Sequence, residues 1–338
     1  MVPLTTLILS LSPLLPLRTM SIPAIVELLR GAREMTPGEA DIAIQDPLLN
    51  QKMYLTDGRQ LCFSEVGDLS GHPLVFIIGL GGTRHTPLFW HDSARRHRLR
   101  VITPDLPGRG MSTPVDTSKR RVADFLPELR ELMLHLGISG QFSIIGQSVG
   151  GMYATAVAAE FGEKVCDPVV LMAPFAPVTA CPHSLPLHRL ARRVPFIIRW
   201  YARLARYVSL KPAVVRKTLL ETTSEAELQS FTPGALTLID AIVRNKAKEG
   251  AQGELNDISM CLEVFQKAAL PYSKVSHRVV VHWGTEDTMV SDKQVEWATG
   301  QLPSATLVVT EGGTHSHVFD LGMVERVFAD IATGVRGR

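Results

Sequence analysis

Seven short strand-like runs are spaced along this chain, and they constrain its fold more than any other feature. They are GRQLCFSEVG, PLVFIIGLGG, LRVITPDLPGRG, QFSIIGQSVGG, DPVVLMAPF, HRVVVHWGTED and ATLVVTEGGTH. In the last six runs the apolar residues stand at consecutive positions, which is typical of strands that are buried on both faces. Because both faces must be covered, we predict an α/β fold in which helices flank a mostly parallel sheet.

Helical patterns lie between these runs. In VADFLPELRELMLHLG, apolar residues recur at helical spacing at Leu129, Leu132, Met133 and Leu136, and Gly137 follows as a stop signal. The segment GMYATAVAAEFG is rich in small residues, which suits a helix that packs closely on a sheet. Strand-like and helical segments therefore alternate, as the predicted fold requires.

The composition excludes several functional classes. The 338 residues are 45% hydrophobic, which is enough for one large domain or for a domain with an insertion. A net charge of +2 does not indicate a nucleic-acid partner, and we expect none. The four cysteines form no CxxC pair, so we expect buried thiols rather than disulfides or a zinc site.

The first twenty residues, MVPLTTLILSLSPLLPLRTM, are apolar but contain Pro3, Pro13 and Pro16. No Lys or Arg precedes the apolar run, although a signal peptide normally has one there. Three interpretations remain open: a weak signal peptide, a membrane-touching extension, or a non-native extension with the true start at Met20. We favour an extension outside the fold, and with it a cytoplasmic location.

Residues 176 to 274 contain no strand-like run and carry helical, charged and aromatic segments instead. We predict that they form a helical lid, inserted between two strands, over the carboxyl ends of the sheet. The chain then divides into an N-terminal extension and leading segment (1–49), a first part of the core (50–175), the lid (176–274) and a second part of the core (275–338).

Within the predicted lid, the stretch from His188 to Lys217 carries nine Lys and Arg residues among aromatic and aliphatic ones. One interpretation is a helix that lies on a membrane surface, with cations on one face and apolar anchors on the other. The other is a lid helix whose apolar face covers the pocket while its arginines are solvated. We favour the second interpretation, so membrane contact is possible but not expected.

The hexapeptide GQSVGG places Ser148 after the apolar run FSII and before a helical pattern. A sharp turn from a strand into a helix strains its central residue and requires small neighbours two positions away. Gly146 and Gly150 meet that requirement. Such a turn exposes the serine hydroxyl beside a helix N-terminus, which favours developing negative charge. Ser148 is therefore the candidate nucleophile.

A serine nucleophile needs a base, and the base needs an acid that orients it. Asp287 follows the run VVVHW and His315 follows the run ATLVV, so both stand in loops after predicted parallel strands. Their neighbours Glu286 and His317 are the rivals for these two roles. We favour Asp287 as the acid and His315 as the base, in the chain order Ser, Asp, His.

Together these motifs resemble the α/β-hydrolase superfamily from about residue 50 to residue 333. GQSVGG matches the nucleophile elbow G-x-S-x-G, and VITPDLPGRGMS is similar to the loop D-x-P-G-x-G-x-S. WGTED matches the acid loop G-x-x-D, and GGTH matches the histidine loop. The resemblance implies an α/β-hydrolase fold, with a mostly parallel eight-stranded sheet, and catalysis without a metal or an organic cofactor.

The resemblance also implies an oxyanion hole made by two backbone N–H groups. One belongs to Val149, directly after the nucleophile, and the other belongs to the loop after PLVFII, where the usual donor position is Leu80. Members of the superfamily often have His-Gly at the start of this loop, whereas this chain has Ile78 and Gly79. The backbone donor is retained, but a polar side chain that often steadies the loop is missing.

The implied activity is hydrolysis of a carboxylic ester, thioester or lactone of an apolar small molecule through an acyl-enzyme. Aromatic and apolar residues indicate an apolar pocket, namely Phe175, Phe196, Trp200, Phe231 and Met260. Two alternatives stay open. The same triad serves an acyltransferase or a polyketide-releasing enzyme of secondary metabolism, and the same scaffold serves a low-turnover binding protein.

Overall fold

The computed structural model describes residues 35–116, 118–184, 189–190, 194, 211, 213, 233–249, 252–264 and 267–336. Its strands form one eight-stranded sheet, with the spatial order β1-β2-β4-β3-β5-β6-β7-β8. The strands are β1 Gln51–Tyr54, β2 Gln60–Gly67, β3 His72–Ile77, β4 Leu99–Pro104, β5 Ser143–Gln147, β6 Val169–Met172, β7 Val279–Gly284 and β8 Ala305–Thr310.

Only the first two strands depart from the parallel arrangement of the sheet. β1 pairs antiparallel with β2, and β2 pairs antiparallel with β4. The remaining neighbours, from β4 through β3 to β8, pair in parallel. The predicted fold class and the mostly parallel eight-stranded sheet are thereby confirmed.

Helices connect the strands and cover both faces of the sheet. The α-helices are α1 Pro37–Ala43, α2 His91–Arg96, α3 Phe125–His135, α4 Val149–Phe161, α5 Pro233–Glu249, α6 Gln252–Cys261, α7 Asp292–Gly300 and α8 Leu321–Arg336. Short 3-10 helices span Pro47–Leu49, Thr86–Trp90, Val122–Asp124, Gly162–Lys164, Tyr272–Lys274 and His317–Phe319. The predicted helix after VADF is α3, and it ends just before Gly137, which has a left-handed φ of +68°.

The core consists of two apolar layers, one on each face of the sheet. In β3, Val75 and Ile77 belong to the layer that contains α3 and α4. The alternate residues Leu74 and Phe76 belong to the layer that contains α1, α2 and α8. Because side chains alternate along a strand, a strand buried on both faces needs apolar residues at successive positions. Burial on both faces of the sheet therefore explains why apolar residues stand at consecutive positions in the sequence runs.

The described part of the leading segment packs into the fold. Thr36 and Glu39 form a capping box at the start of α1. The buried residues Ala40 and Ala43 of this helix share an apolar cluster with Leu238 of α5. The leading segment thus packs against α5, a helix that falls within the predicted lid range.

Between β6 and β7 the described residues form α5 and α6, and no strand occurs among them. The lid itself stays a prediction. The stretch from 188 to 217 lies almost entirely outside the described residues, and so do Phe196, Trp200 and Phe231. No helix in the described ranges is long and apolar enough to cross a membrane.

Candidate active site

Ser148 lies in the turn between β5 and α4. Its backbone has φ 52° and ψ −119°, a conformation that a residue with a side chain rarely adopts. The surroundings hold this strained turn in place, because Ser148 donates its N–H to the carbonyl of Met172 in β6 at 2.9 Å. The carbonyl of Ser148 in turn accepts from Phe175 at 3.1 Å.

The glycines on either side of the turn are required by close contacts. A Cβ added at Gly150 would lie 1.9 Å from the carbonyl oxygen of Ile77, which belongs to β3. A Cβ at Gly146 would lie 2.6 Å from the side chain of Ala154 in α4. The elbow therefore fits between β3 and its own helix only without these side chains, as the sequence pattern predicted.

The loop after β3, residues 78–84, lies against Ser148, and we refer to it as the oxyanion loop. A Cβ added at Gly79 would be 2.7 Å from the Cβ of Ser148. Gly79 accepts from the N–H of Gly82 at 3.2 Å, and the N–H of Leu80 has no acceptor in the described part of the chain. Val149 is the first residue of α4, so its N–H has no partner within the helix.

Asp287 and His315 form a hydrogen-bonded pair at the carboxyl ends of β7 and β8. Nδ1 of His315 lies 2.8 Å from Oδ2 of Asp287. The Asp287 side chain is fully buried, whereas 14% of the His315 side chain is exposed. Nε2 of His315 is consequently the nitrogen left for a reaction, because Nδ1 is engaged by the carboxylate.

The structure separates Asp287 from its rival Glu286. The Asp287 carboxylate is buried and faces His315, while Glu286 is exposed and contributes its backbone N–H to the carbonyl of Gly313 at 2.9 Å. This backbone bond joins the loop after β7 (285–291, the acid loop) to the loop after β8 (311–316, the histidine loop). His317, the rival of His315, starts the 3-10 helix that follows.

Gln147, the last residue of β5, connects the turn at Ser148 to the oxyanion loop and to the histidine loop. Its Oε1 accepts from the N–H of Gly79 at 2.8 Å. Its Nε2 donates to the carbonyl of His315 at 3.4 Å. The structure therefore brings the elbow, the oxyanion loop and the histidine loop together at one place, beside Ser148.

Buried ion pairs around the oxyanion loop are the feature that the sequence did not reveal. Arg84 is fully buried and contacts Asp105 at 2.7 Å and Glu249 of α5 at 2.5 Å. Arg109 pairs with Asp257 of α6 at 2.6 Å. No sequence spacing marks these pairs, since their members are distant along the chain.

Two of the cations contact the oxyanion loop through its carbonyl groups. Arg109 donates from Nη1 to the carbonyl of Ile78 at 3.0 Å, and Lys246 donates from Nζ to that of Gly81 at 3.1 Å. Lys246 also pairs with Glu254 of α6. The loop is thereby anchored at its first residue and at its middle to side chains outside it.

The charged state of these buried cations is maintained by their partners. Burial alone would lower the pKa of Arg109, but the Asp257 carboxylate raises that pKa above its ordinary value. The same opposition acts on Arg84, where burial is outweighed by the carboxylates of Asp105 and Glu249, so that the pKa is raised. Asp105 and Arg109, both in the segment VITPDLPGRGMS, are thus members of buried ion pairs.

Comparisons with known proteins agree with this architecture. The sequence model of an alpha/beta hydrolase family matches residues 74–329. Lipase 1 of Psychrobacter immobilis is 22% identical over 273 residues, which are 78% of this chain and 78% of that protein.

Solved structures show the same fold. The esterase EaEST from Exiguobacterium antarcticum superposes with a TM-score of 0.63 at 16% identity, covering 85% of this chain and 99% of the esterase. The enol-lactonase from Burkholderia xenovorans LB400 gives a TM-score of 0.60 at 16% identity, covering 84% of this chain and 100% of the lactonase.

Proposed function

Because this chain belongs to the alpha/beta hydrolase family, we propose that it is a serine hydrolase that cleaves a carboxylic ester, thioester or lactone. The acyl group passes through a covalent intermediate on Ser148. Asp287 and His315 complete the triad, and the N–H groups of Val149 and Leu80 form the oxyanion hole. No metal or organic cofactor takes part in this scheme.

In the first half of the reaction, the hydroxyl oxygen of Ser148 attacks the carbonyl carbon of the substrate. Nε2 of His315 takes the hydroxyl proton, and the Asp287 carboxylate stabilises the imidazolium that results. The oxyanion accepts from Val149 and Leu80, an interaction worth about 3–4 kcal/mol per donor. The tetrahedral intermediate then collapses, and the leaving alcohol or thiol receives the proton from His315.

In the second half, water replaces the leaving group. His315 takes one proton from the water molecule as the water oxygen attacks the carbonyl carbon of the acyl group on Ser148. The new tetrahedral intermediate breaks its bond to the serine oxygen, which recovers its proton from His315. The free acid leaves, and the enzyme returns to its starting protonation state.

One observation carries this proposal. The hydrogen bond of 2.8 Å between His315 and Asp287 joins the histidine loop to the acid loop, and the histidine loop also contacts the strained elbow of Ser148 through Gln147. Three residue types that serve acyl transfer are thus linked through one turn, although His315 and Asp287 are 28 positions apart and Ser148 lies far upstream of both. A structural serine turn would not require this arrangement.

The substrate class rests on the relatives and on the surroundings of the elbow. The similar proteins include a lipase and an esterase, which favour an ester as the substrate of this chain. They also include an enol-lactonase, so cyclic esters remain candidate substrates. Phe175, whose N–H contacts the Ser148 carbonyl, packs against an apolar cluster with Val178, Ile258 and Leu262. We therefore expect an apolar acyl group.

The test combines covalent labelling with turnover. Wild-type protein should react with a fluorophosphonate probe and hydrolyse p-nitrophenyl esters, and a panel of acyl lengths, thioesters and lactones should define the preferred class. Ser148→Ala should lose both properties and remain folded. Ser143→Ala is the matched control, because Ser143 is a buried serine at the start of β5, the strand that leads to the elbow, and its hydroxyl bonds to His72 instead.

The outcomes distinguish the alternatives. Labelling of Ser148→Ala at the wild-type rate would reject the nucleophile. If an added alcohol receives the acyl group in preference to water, the protein is an acyltransferase with the same triad. If the wild type turns over no panel member faster than Ser148→Ala does, the scaffold serves binding.

A further inference from the structure

We propose that Gln147 is a positioning residue, which holds the oxyanion loop and the histidine loop in their working arrangement around Ser148. This proposal rests on the proposed function. It concerns the residue directly before the nucleophile, whose side-chain amide makes one hydrogen bond to each of the two loops.

The first bond decides which N–H of the oxyanion loop is available. Gly79 donates its N–H to Oε1 of Gln147 at 2.8 Å, so this N–H is occupied and the oxyanion cannot use it. The carbonyl of the same residue is occupied by Gly82. In a planar trans peptide, the C=O and the following N–H point in opposite directions. The bond from Gly82 to the Gly79 carbonyl therefore orients the Leu80 N–H, and the bond from Gly79 to Gln147 holds the peptide that precedes it.

The second bond holds the backbone of the general base. Nε2 of Gln147 donates to the carbonyl of His315 at 3.4 Å, while the imidazole of the same residue bonds to Asp287 at 2.8 Å. His315 is thus held at two points, one on its main chain and one on its ring. Loss of the first point would remove a hydrogen bond that ties the histidine loop to the elbow, while the bonds of this loop to the acid loop would remain.

The position of Gln147 in the sequence couples its hydrogen bonds to the geometry of the nucleophile. The residue immediately precedes Ser148, so any movement of the elbow moves the amide with it. The residue is 8% exposed, and a buried amide requires partners for both its donor and its acceptor. The backbone of Gly79 approaches so closely that an added Cβ would lie 2.6 Å from Oε1. Only a glycine permits this contact.

The experiment compares two substitutions at position 147. Gln147→Met has a similar length but loses both hydrogen bonds, and Gln147→Glu retains an acceptor for Gly79 but loses the donor to His315. We expect kcat to fall by about 10- to 100-fold for Gln147→Met, because small displacements of catalytic groups have costs of this order. KM should change by less than about threefold, because Gln147 does not bind the substrate. Gln147→Glu should also lower kcat.

A second readout does not depend on ester turnover. The rate constant for phosphonylation of Ser148 by a fluorophosphonate uses the same base and the same N–H donors, so it should fall in parallel with kcat. The control is Gln60→Met. Gln60 lies on β2 and is not part of the triad, and the substitution removes its side-chain amide, which donates to the carbonyl of Met111. Thermal unfolding identifies any variant that has lost its fold.

The results separate this proposal from the proposed function. If the wild type is labelled and folded Gln147→Met keeps kcat and the labelling rate within about twofold, the positioning role is wrong while the triad stands. An increase in KM with unchanged kcat also rejects it, since this indicates substrate contact. If the wild type is neither labelled nor active, the proposed function fails first, and the role of Gln147 is rejected with it.

Discussion

The Asp287 carboxylate uses one oxygen for the hydrogen bond to His315 and the other for hydrogen bonds to the backbone of its own loop. Oδ2 lies 2.8 Å from Nδ1 of His315, and Oδ1 accepts from the backbone N–H groups of Met289 and Val290, each at 2.8 Å. The acid loop thus folds around its own aspartate, and only one edge of the carboxylate remains for the imidazole. This geometry fixes which tautomer His315 adopts, with its proton on Nδ1 and its basic nitrogen facing away.

The first prediction concerns this pair. Asp287→Asn preserves the size of the side chain but places an amide opposite the imidazole, so the tautomer that leaves Nε2 basic is no longer favoured. We expect kcat for p-nitrophenyl ester hydrolysis to fall by about 10³- to 10⁴-fold, as in other triads. The measurement is steady-state turnover, with circular dichroism to verify folding.

Glu286 provides the matched control for this prediction. It is the adjacent carboxylate and it is exposed. Glu286→Gln should keep kcat within about twofold, because an exposed charge outside the hydrogen-bonded pair contributes little. If Glu286→Gln lost more activity than Asp287→Asn, the assignment of the acid would have to be exchanged.

The second prediction concerns the elbow. Gly150→Ala introduces a Cβ that would lie 1.9 Å from the carbonyl of Ile77, so β3 or α4 must move. We expect the free energy of unfolding to fall by about 1–3 kcal/mol or more, as for other overpacked sites. Fluorophosphonate labelling of Ser148 should slow as well, because the same movement displaces the turn.

Gly140→Ala is the control, since a Cβ at Gly140 would have no atom within 4 Å. Urea denaturation of both variants measures the comparison. We expect Gly140→Ala to match the wild type within about 0.5 kcal/mol, as is usual for surface substitutions. Equal stability of the two variants would show that the elbow does not depend on close packing against β3.

The elbow at Ser148 and the pair of Asp287 and His315 illustrate what the sequence could predict. Successive apolar residues such as those of β3 predict burial on both faces, and glycines around Ser148 predict a tight turn, because both patterns follow from local geometry. Asp287 and His315 were also found at the ends of strands, because the carboxyl ends of parallel strands converge on one edge of the sheet. The strand order then brings the loops together without any local signal.

What the sequence did not predict depends on contacts between distant segments. β1 has only four residues, Gln51–Tyr54, and alternation over so short a segment is indistinguishable from a loop. The pairing of Arg84 with Glu249 joins residues 165 positions apart, and no periodicity encodes it. The two bonds of Gln147 were missed for the same reason, since each reaches a different loop.

The third prediction concerns the buried charge at Arg84. Arg84→Met leaves the carboxylates of Asp105 and Glu249 without their cation in the interior. We expect the free energy of unfolding to fall by about 3–5 kcal/mol, because the uncompensated charges remain buried. Equilibrium urea denaturation gives the value, and the oxyanion loop should become more accessible to proteolysis.

An exposed ion pair supplies the comparison for Arg84. Arg278 bonds to Asp330 at 2.9 Å, but the two side chains are 46% and 42% exposed. Arg278→Met should lower the free energy of unfolding by less than about 1 kcal/mol, because water screens this pair. A similar loss in both variants would mean that the network around Arg84 gains nothing from its burial.

The last prediction concerns the dependence of stability on pH. Glu325 in α8 accepts hydrogen bonds from Arg96, Ser93 and His97, and these bonds, with that of Arg96 foremost, lower its pKa from 4.5 to about 2. A carboxyl group whose pKa is lower in the folded state stabilises the fold only while it is ionised. Its contribution is therefore complete above about pH 4.5 and is lost as the pH falls toward about 2.

Glu325→Gln removes this contribution at every pH. The difference in free energy of unfolding between wild type and variant should be constant from neutral pH down to about pH 5 and should shrink below it. The Glu325 side chain is 39% exposed, so we expect a difference below about 1 kcal/mol that decreases with added salt. Urea titrations at a series of pH values and low ionic strength measure it. A difference that stayed constant down to about pH 3 would contradict the lowered pKa, because such constancy requires that the charge of Glu325 does not stabilise the fold.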